Sequence, residues 1–232
     1  MVLDSFQQLE FLVLGVDTCG PSGTVALARV GTDAIEVLGQ RELAGRTYSA
    51  TLIVAVSELL AEAGATVAQL DALVAVNGPG SFTGVRVGLS AVKGLAEPHR
   101  TPVTAVSRLA VLADKAGLAS AALDAHRNEI FLRAGTPGGE AWEMLAGAGE
   151  LATLDRPEGA VAVCDEAAAA LLRTAWPDVP LTVTAAPTAA EAIALAAPRI
   201  RAGDFVELAL LDGHYLRRSD AEIFGSEKQA SA

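Results

Sequence analysis

The chain has 232 residues, 51% hydrophobic and 19% charged, with 17 Lys and Arg against 28 Asp and Glu for a formal net charge of −11. This is apolar material enough for one large domain or two small ones with a buried core, and too little charge for a disordered chain. The acidic balance excludes salt-driven nucleic-acid binding by the protein as a whole, while leaving room for a local basic patch.

Residues 1–10 carry acidic side chains and no positive region ahead of an apolar stretch, so they read as a short flexible extension and not as a secretory signal. Residues 11–16 form an apolar run that ends at Asp17. The turn cluster Cys19-Gly20-Pro21-Ser22-Gly23 separates it from a second strand over 24–29. A third strand is expected over 35–43, which makes a meander. From Tyr48 the period changes: Leu52, Val56, Leu59, Leu60 and Ala63 recur at helical spacing up to Gly64. The fully apolar run 72–76 predicts a strand buried on both faces, running into Asn77-Gly78-Pro79-Gly80-Ser81-Phe82-Thr83-Gly84. A second helix follows to about Glu97, with Val85, Leu89, Val92 and Ala96 on one stripe and Gly84, Gly88 and Ala91 beside it.

A strand over 103–105 and a helix over 107–116 capped by Ser107 form the junction to the second half. There the order repeats more faintly: strands over 119–123, 130–134, 141–145 and 160–164, then helices over 166–175 and 188–202, the last closed by Gly203. The pattern is an α/β fold with a duplicated βββαβα plan. No window of 18 residues is free of charge, Pro or clustered Gly, so a spanning helix is not supported and a soluble, cytoplasmic protein is expected.

Few residues carry chemistry on their own. Cys19 and Cys164 are far apart without a CxxC pair, which excludes the usual zinc spacings and a disulfide framework and suits a reducing compartment. His99, His126 and His214 form no HxxxH or HExxH pair, so no histidine metal site is expected. The loop at 78–84 has the look of an anion cradle, glycine amides ahead of a helix N-terminus, but lacks the Gly-Lys-Ser/Thr ending of a P-loop. The simpler reading is a tight turn at Gly78 and Gly80, a cap from Ser81 or Thr83, and close helix approach at Gly84 and Gly88. Asp17-Thr18 offers either a carboxylate for hydrated Mg2+ or an Asx-turn. The polar segment 124–129 crowds acid and imidazole groups together, though hairpin turns are ordinarily polar.

Asp17-Thr18-Cys19 with Gly23-Thr24-Val25-Ala26-Leu27, the segment from Asn77 through Leu89, and Lys93-Gly94-Leu95-Ala96 resemble the bacterial TsaB (YeaZ) family. Asp124-Ala125-His126-Arg127-Asn128-Glu129 and Tyr215-Leu216-Arg217-Arg218-Ser219-Asp220-Ala221-Glu222 are similar to two further segments of it, so the likeness runs from about residue 11 to 222. The resemblance implies an actin/hexokinase/Hsp70-like (ASKHA) fold: a first lobe at 11–105, a second at 106–222 whose final helix packs back toward the first, and a flexible tail at 223–232. It implies a role in making threonylcarbamoyladenosine at position 37 of tRNAs that read codons beginning with A. In that family the chain is not the catalyst. It pairs with a larger paralogue, TsaD, joined by the ATPase TsaE; ATP and Mg2+ are used by the partner complex, none is tightly bound here, and tRNA is met indirectly.

By the same resemblance the first-lobe helices form the dimerisation face, homodimeric alone and heterodimeric with the paralogue. Tyr48, Leu52, Val56, Leu59, Gly84, Val85, Gly88, Leu89 and Val92 are the residues assigned to it, and Asp17, Thr18, Gly78, Gly80 and Ser81 to a phosphate-loop-like site, with no catalytic or metal residue. Leu at Gly84 or Gly88 is then expected to block assembly while the isolated chain stays folded. Cys19, Asn77 and His214 depart from the family's usual residues. The competing reading is an enzyme in its own right, an ATP-using phosphotransferase or a peptidase of the same fold.

Overall fold

The computed structural model describes residues 10–44, 47–136 and 138–217; most of the expected N-terminal extension and all of the tail lie outside them. The chain opens with the antiparallel meander β1 (Phe11–Asp17), β2 (Ser22–Val30) and β3 (Ile35–Ala44). Helix α1 (Tyr48–Glu62) then crosses to β4 (Ala72–Val76), parallel to β1, and α2 (Phe82–Ala96) crosses to β5 (Val103–Val106), parallel to β4. The sheet order is β3-β2-β1-β4-β5. All five residues of β4 are buried, as the unbroken apolar run requires of a strand covered on both faces.

After α3 (Arg108–Lys115) the plan recurs: β6 (Ser120–Asp124), β7 (Glu129–Gly135) and β8 (Ala141–Gly147) form a meander, followed by α4 (Ala148–Thr153), β9 (Val161–Val163), α5 (Glu166–Ala175), β10 (Leu181–Val183) and α6 (Ala189–Arg201). The second sheet has the order β10-β9-β6-β7-β8, which from its meander edge matches the first strand for strand. The sequence reading missed α4 and β10, elements of six and three residues that are too short to show a period.

The helices that follow each sheet cross over. α3 packs on β6, β7 and β9 of the second sheet, whereas α6 lies on β1, β2, β4 and β5 of the first. Ala189, Ala192, Ala196 and Ala197 let α6 approach closely, and Ile193 is fully buried beneath it, a burial worth about 1.5–3 kcal/mol. β1 meets this helix at Gly15, where a Cβ would stand 2.8 Å from the Ala189 carbonyl oxygen. A capping box starts α6, with Thr188 N donating to Glu191 Oε2 at 2.7 Å. Lys115 Nζ, 2.7 Å from Glu191 Oε1, joins α3 to α6 between the sheets. Among the described residues no helix is long and apolar enough to cross a membrane.

Candidate functional site

The C-terminal ends of β1 and β4 bring the two predicted loop segments together. Asp17 closes β1 and is 2% exposed. Its Oδ1 accepts from Cys19 N at 2.8 Å, an Asx-turn, and its Oδ2 accepts from Arg108 Nε at 3.3 Å. Arg108, 6% exposed, reaches it from the first position of α3, and its own N–H donates to Gly78 O at 2.7 Å. Burial is the largest single influence and opposes the guanidinium charge, but Asp17 together with Cys19 and Cys164 holds the Arg108 pKa above its ordinary value. Of the two readings of Asp17, the structure shows the Asx-turn, and both carboxylate oxygens have partners within the chain.

The glycine-rich loop answers to the same hairpin. Ser81 N donates to Cys19 O at 2.8 Å, and Ser81 Oγ caps α2 by accepting from Gly84 N at 3.3 Å. Thr18 Oγ1 donates to Gly84 O at 2.6 Å. A Cβ on Gly80 would overlap Cys19 O, one on Gly84 would overlap Thr18 O, and one on Gly88 would overlap Thr18 Oγ1. The expected phosphate-loop residues Asp17, Thr18, Gly78, Gly80 and Ser81 do converge, but the hydrogen bonds of Asp17, Thr18, Gly78 and Ser81 run to Cys19, Gly84 and Arg108 of the same chain. Close helix approach at Gly84 and Gly88 is corrected likewise, since what approaches is the β1–β2 turn. Cys19 is a buried turn residue: its Sγ donates to Val76 O at 3.3 Å, and burial with the Asp17 charge pushes the thiol well above its usual range.

The residues assigned to a partner surface are corrected for the same reason. Tyr48, Leu52, Val56, Leu59, Val85, Leu89 and Val92 are buried in this chain's own core, as are Gly84 and Gly88. Tyr48 Oη donates to Gly20 O at 2.8 Å, and burial, reinforced by Asp17, pushes its phenol up to about 12. An apolar stripe at helical spacing shows that a face is covered, but not by what. The outer faces of α1 and α2 instead present Ile53 at 50%, Val54 at 55% and Phe82 at 38% exposure. Between the helices runs a groove of about 580 Å3 lined by Ser49, Ile53, Phe82, Val87 and Ala91.

A second polar cluster, absent from the sequence reading, centres on Glu143 of β8, 7% exposed in its side chain. Ser107 Oγ lies 2.7 Å from both of its carboxylate oxygens, Arg133 Nη1 donates at 2.9 Å, and His214 Nε2 is 2.9 Å away. His214 N also donates to Asn77 O at 2.7 Å, and Asn77 Nδ2 to Asp212 O at 3.3 Å. Two of the departures from the family pattern thus fasten the C-terminal segment 211–217 across the loop. Burial alone would raise the Glu143 pKa, but the bonds from His214, Ser107 and Arg133 hold it below the usual carboxylate value.

That depression sets a pH dependence. The stabilisation by Glu143 is present above its unfolded value near 4.5 and is lost as pH falls through the lower folded value. Glu143→Gln is expected to lose about 1–3 kcal/mol at pH 7. Urea unfolding should show the gap to the unsubstituted chain narrowing steadily below about pH 4.5; a gap independent of pH would contradict this assignment.

The segment 124–129 is a hairpin turn. Asp124 Oδ1 accepts from His126 N at 2.8 Å, and His126, Arg127 and Asn128 all take positive φ, at 61°, 56° and 60°. Among the described residues no three His, Cys, Asp or Glu side chains are grouped so as to hold a metal ion.

Residues 37–160 match the family model described as TsaD, tRNA N6-adenosine threonylcarbamoyltransferase. The tRNA threonylcarbamoyladenosine biosynthesis protein TsaB of Haemophilus influenzae is 38% identical over 125 residues, 51% of each chain. Its Escherichia coli counterpart is 33% identical over 125 residues, 51% of this chain and 52% of that one. The match thus spans about half the length of these curated relatives. Among solved structures, a Pseudomonas aeruginosa protein described as similar to the peptidase YeaZ superposes with a TM-score of 0.74 at 27% identity, covering 89% of this chain and all of that one.

Proposed function

The chain belongs to the TsaB (YeaZ) family, and from that membership we propose that it is a non-catalytic subunit in the synthesis of threonylcarbamoyladenosine on tRNA. In this reading it activates a TsaD-type paralogue at position 37 of tRNAs reading codons that begin with A. TsaE joins the pair, ATP and Mg2+ are used by the partner complex, and the assembly works in the cytoplasm. The duplicated sheet order supports an ASKHA-type fold, with the β1–β2 and β4–α2 loops meeting at one end of its first sheet.

The observation that carries the proposal is the state of those loops. Asp17 is bound to Arg108 and to its own turn, and the amide of Ser81 is bonded to the β1–β2 turn, so these groups, expected from the sequence to face a phosphate, have internal partners. A peptidase reading gains nothing from Ser107 and His214, because both approach Glu143 and no hydrogen bond joins them to each other. Docking on the paralogue is assigned to the outer faces of α1 and α2, where Ile53, Val54 and Phe82 are exposed.

The test is light scattering on the chain alone and with its paralogue, with threonylcarbamoyl transfer to tRNA assayed in the same mixtures. Expected are a heterodimer, transfer that needs both chains, and loss of both with Ile53→Asp/Val54→Asp while the isolated variant keeps its circular dichroism and unfolding midpoint. ATP hydrolysis or group transfer by this chain alone would overturn the reading.

A further inference from the structure

The first sheet with α1, α2 and α6 forms one apolar core, while the second half of the chain forms two smaller ones. The chain passes between the halves at Ser107 and again ahead of α6. Val111 reaches from α3 into the first core, and polar contacts do the rest at these crossings: Arg108 meets Asp17, Ser107 meets Glu143 and Lys115 meets Glu191. A junction built largely of polar contacts holds two bodies less rigidly than a shared apolar core.

The segment 211–217 makes a third crossing, and its residues divide between the halves. Leu211 is buried in the first core, and Asp212 O accepts from Asn77 Nδ2 at 3.3 Å. Leu216 packs on the second-half cluster that includes Leu123 and Phe131, and Arg217 pairs with Glu129 at the start of β7. His214 touches both sides: its N–H donates to Asn77 O at 2.7 Å, while its Nε2 lies 2.9 Å from Glu143 Oε2 on β8. Its carbonyl oxygen rests against Gly78, where a Cβ would stand 2.9 Å away. The next residue, Tyr215, sets its ring 5.0 Å from that of Phe82, the first residue of α2. Phe82 is 38% exposed on the face assigned to the paralogue. A half-exposed ring is free to change rotamer unless neighbours hold it, and Phe82 has two, Tyr215 and Arg86, whose Cζ lies 3.7 Å from its centre.

We propose that the segment 211–217 is a strap through which the second half sets the docking face: Glu143 holds His214, His214 places Tyr215 against Phe82, and the ring so fixed raises affinity for the paralogue. The proposal rests on the reading above that puts docking on the outer faces of α1 and α2. Glu143, 7% exposed in its side chain, acts without reaching that face. His214 and Tyr215 are positioning residues. Without the His214 ring the strap keeps its backbone bond to Asn77 but loses this hold on the second half, and docking must then order Phe82 as well as contact it.

The experiment measures heterodimer affinity by calorimetric titration of the full chain with the paralogue, and hydrogen exchange of the full chain alone. The amide to follow is that of Val85, which donates to Ser81 O at 2.8 Å in the first turn of α2. His214→Ala is expected to weaken the heterodimer about fivefold, a modest coupling between separate sites, and to speed exchange at Val85 by local opening of that turn. His214→Gln keeps a donor for Glu143 and should restore most of both. Tyr215→Leu should weaken binding as well, and His214→Ala/Tyr215→Leu no further than Tyr215→Leu alone, since both cut one strap. Val161→Ala, which opens space in the second-half core, should cost stability and leave affinity unchanged. Unchanged affinity in His214→Ala, a glutamine variant as weak as the alanine one, or an equal loss in Val161→Ala would each overturn the proposal. So would single losses that add in the double variant, which would make Tyr215 a direct contact independent of His214. If the unsubstituted chains form no heterodimer, the parent reading fails. Exchange at Val85 in the isolated chain then decides whether the strap couples the second half to α2: faster exchange in His214→Ala supports it, and unchanged exchange refutes it.

Discussion

Arg108→Ala is expected to destabilise the folded chain by about 3–5 kcal/mol, the range for removing one partner of a buried ion pair. Asp17, 2% exposed beside Arg108, is left without the cation that pairs it. The substitution also empties space that the structure has shaped around the guanidinium, since Gly20 has no Cβ where the Arg108 side chain lies. Asp17→Ala should cost a similar amount, because it strands the Arg108 charge and removes the acceptor for Cys19 N. In a double-mutant cycle, Asp17→Asn/Arg108→Met should fall well short of the sum of Asp17→Asn and Arg108→Met measured singly, as replacing both charges removes the desolvation cost along with the attraction. Denaturant unfolding at pH 7 checks all of these. A loss below about 1 kcal/mol for Arg108→Ala would mean that the pair behaves as a solvated surface bridge, and the case for an internally engaged loop would fail with it.

Gly84→Ala is expected to cost about 3 kcal/mol or more, although alanine is the better helix former. The added Cβ would overlap the Thr18 carbonyl oxygen, a backbone atom that can move only with the β1–β2 turn. The same shift would break the 2.6 Å bond from Thr18 Oγ1 to Gly84 O. Gly88→Ala should cost less, about 1–2 kcal/mol, because the obstructing atom is the Thr18 hydroxyl, which can rotate at the expense of that bond. Gly94, on the same helix with nothing within 4 Å, gives the opposite sign: alanine there is expected to stabilise by about 0.5–1 kcal/mol. Urea midpoints of the three variants separate sterics from helix propensity. This replaces the sequence expectation for Gly84→Leu and Gly88→Leu: any loss of assembly would follow from a damaged fold, and the isolated variants should themselves be less stable. A Gly84→Ala chain as stable as the parent would contradict the packing described here.

Much of this was legible in the sequence. The change from period two to period 3.6 at Tyr48 marked α1, the unbroken apolar run marked β4, and the Ser107 cap marked the start of α3. These signals are local: hydrogen-bond period and end-capping are settled within a few residues. The repeated order of elements therefore followed as well, and with it the duplication. Arg108 left a trace too, as a charged side chain on the same stripe as Val111 and Leu112, both fully covered.

What the local signals could not decide was what lies against each face. The stripe from Leu52 to Leu59 reads identically whether it meets this chain's sheet or another protein, and only the packed structure turns it inward and leaves Ile53 and Val54 outside. Asp17 finds Arg108 across 91 residues, Glu143 finds His214 across 71, and α6 leaves the second half to complete the first core. The sequence by itself determined the order of the elements long enough to show a period, their duplication and the turn-rich loop after β4, and left out α4 and β10. The tertiary structure alone decided that this loop binds its own hairpin, and that the segment 211–217 ties the two halves together. The reason is that such contacts join segments far apart in the chain, whose pairing leaves no periodicity in either one.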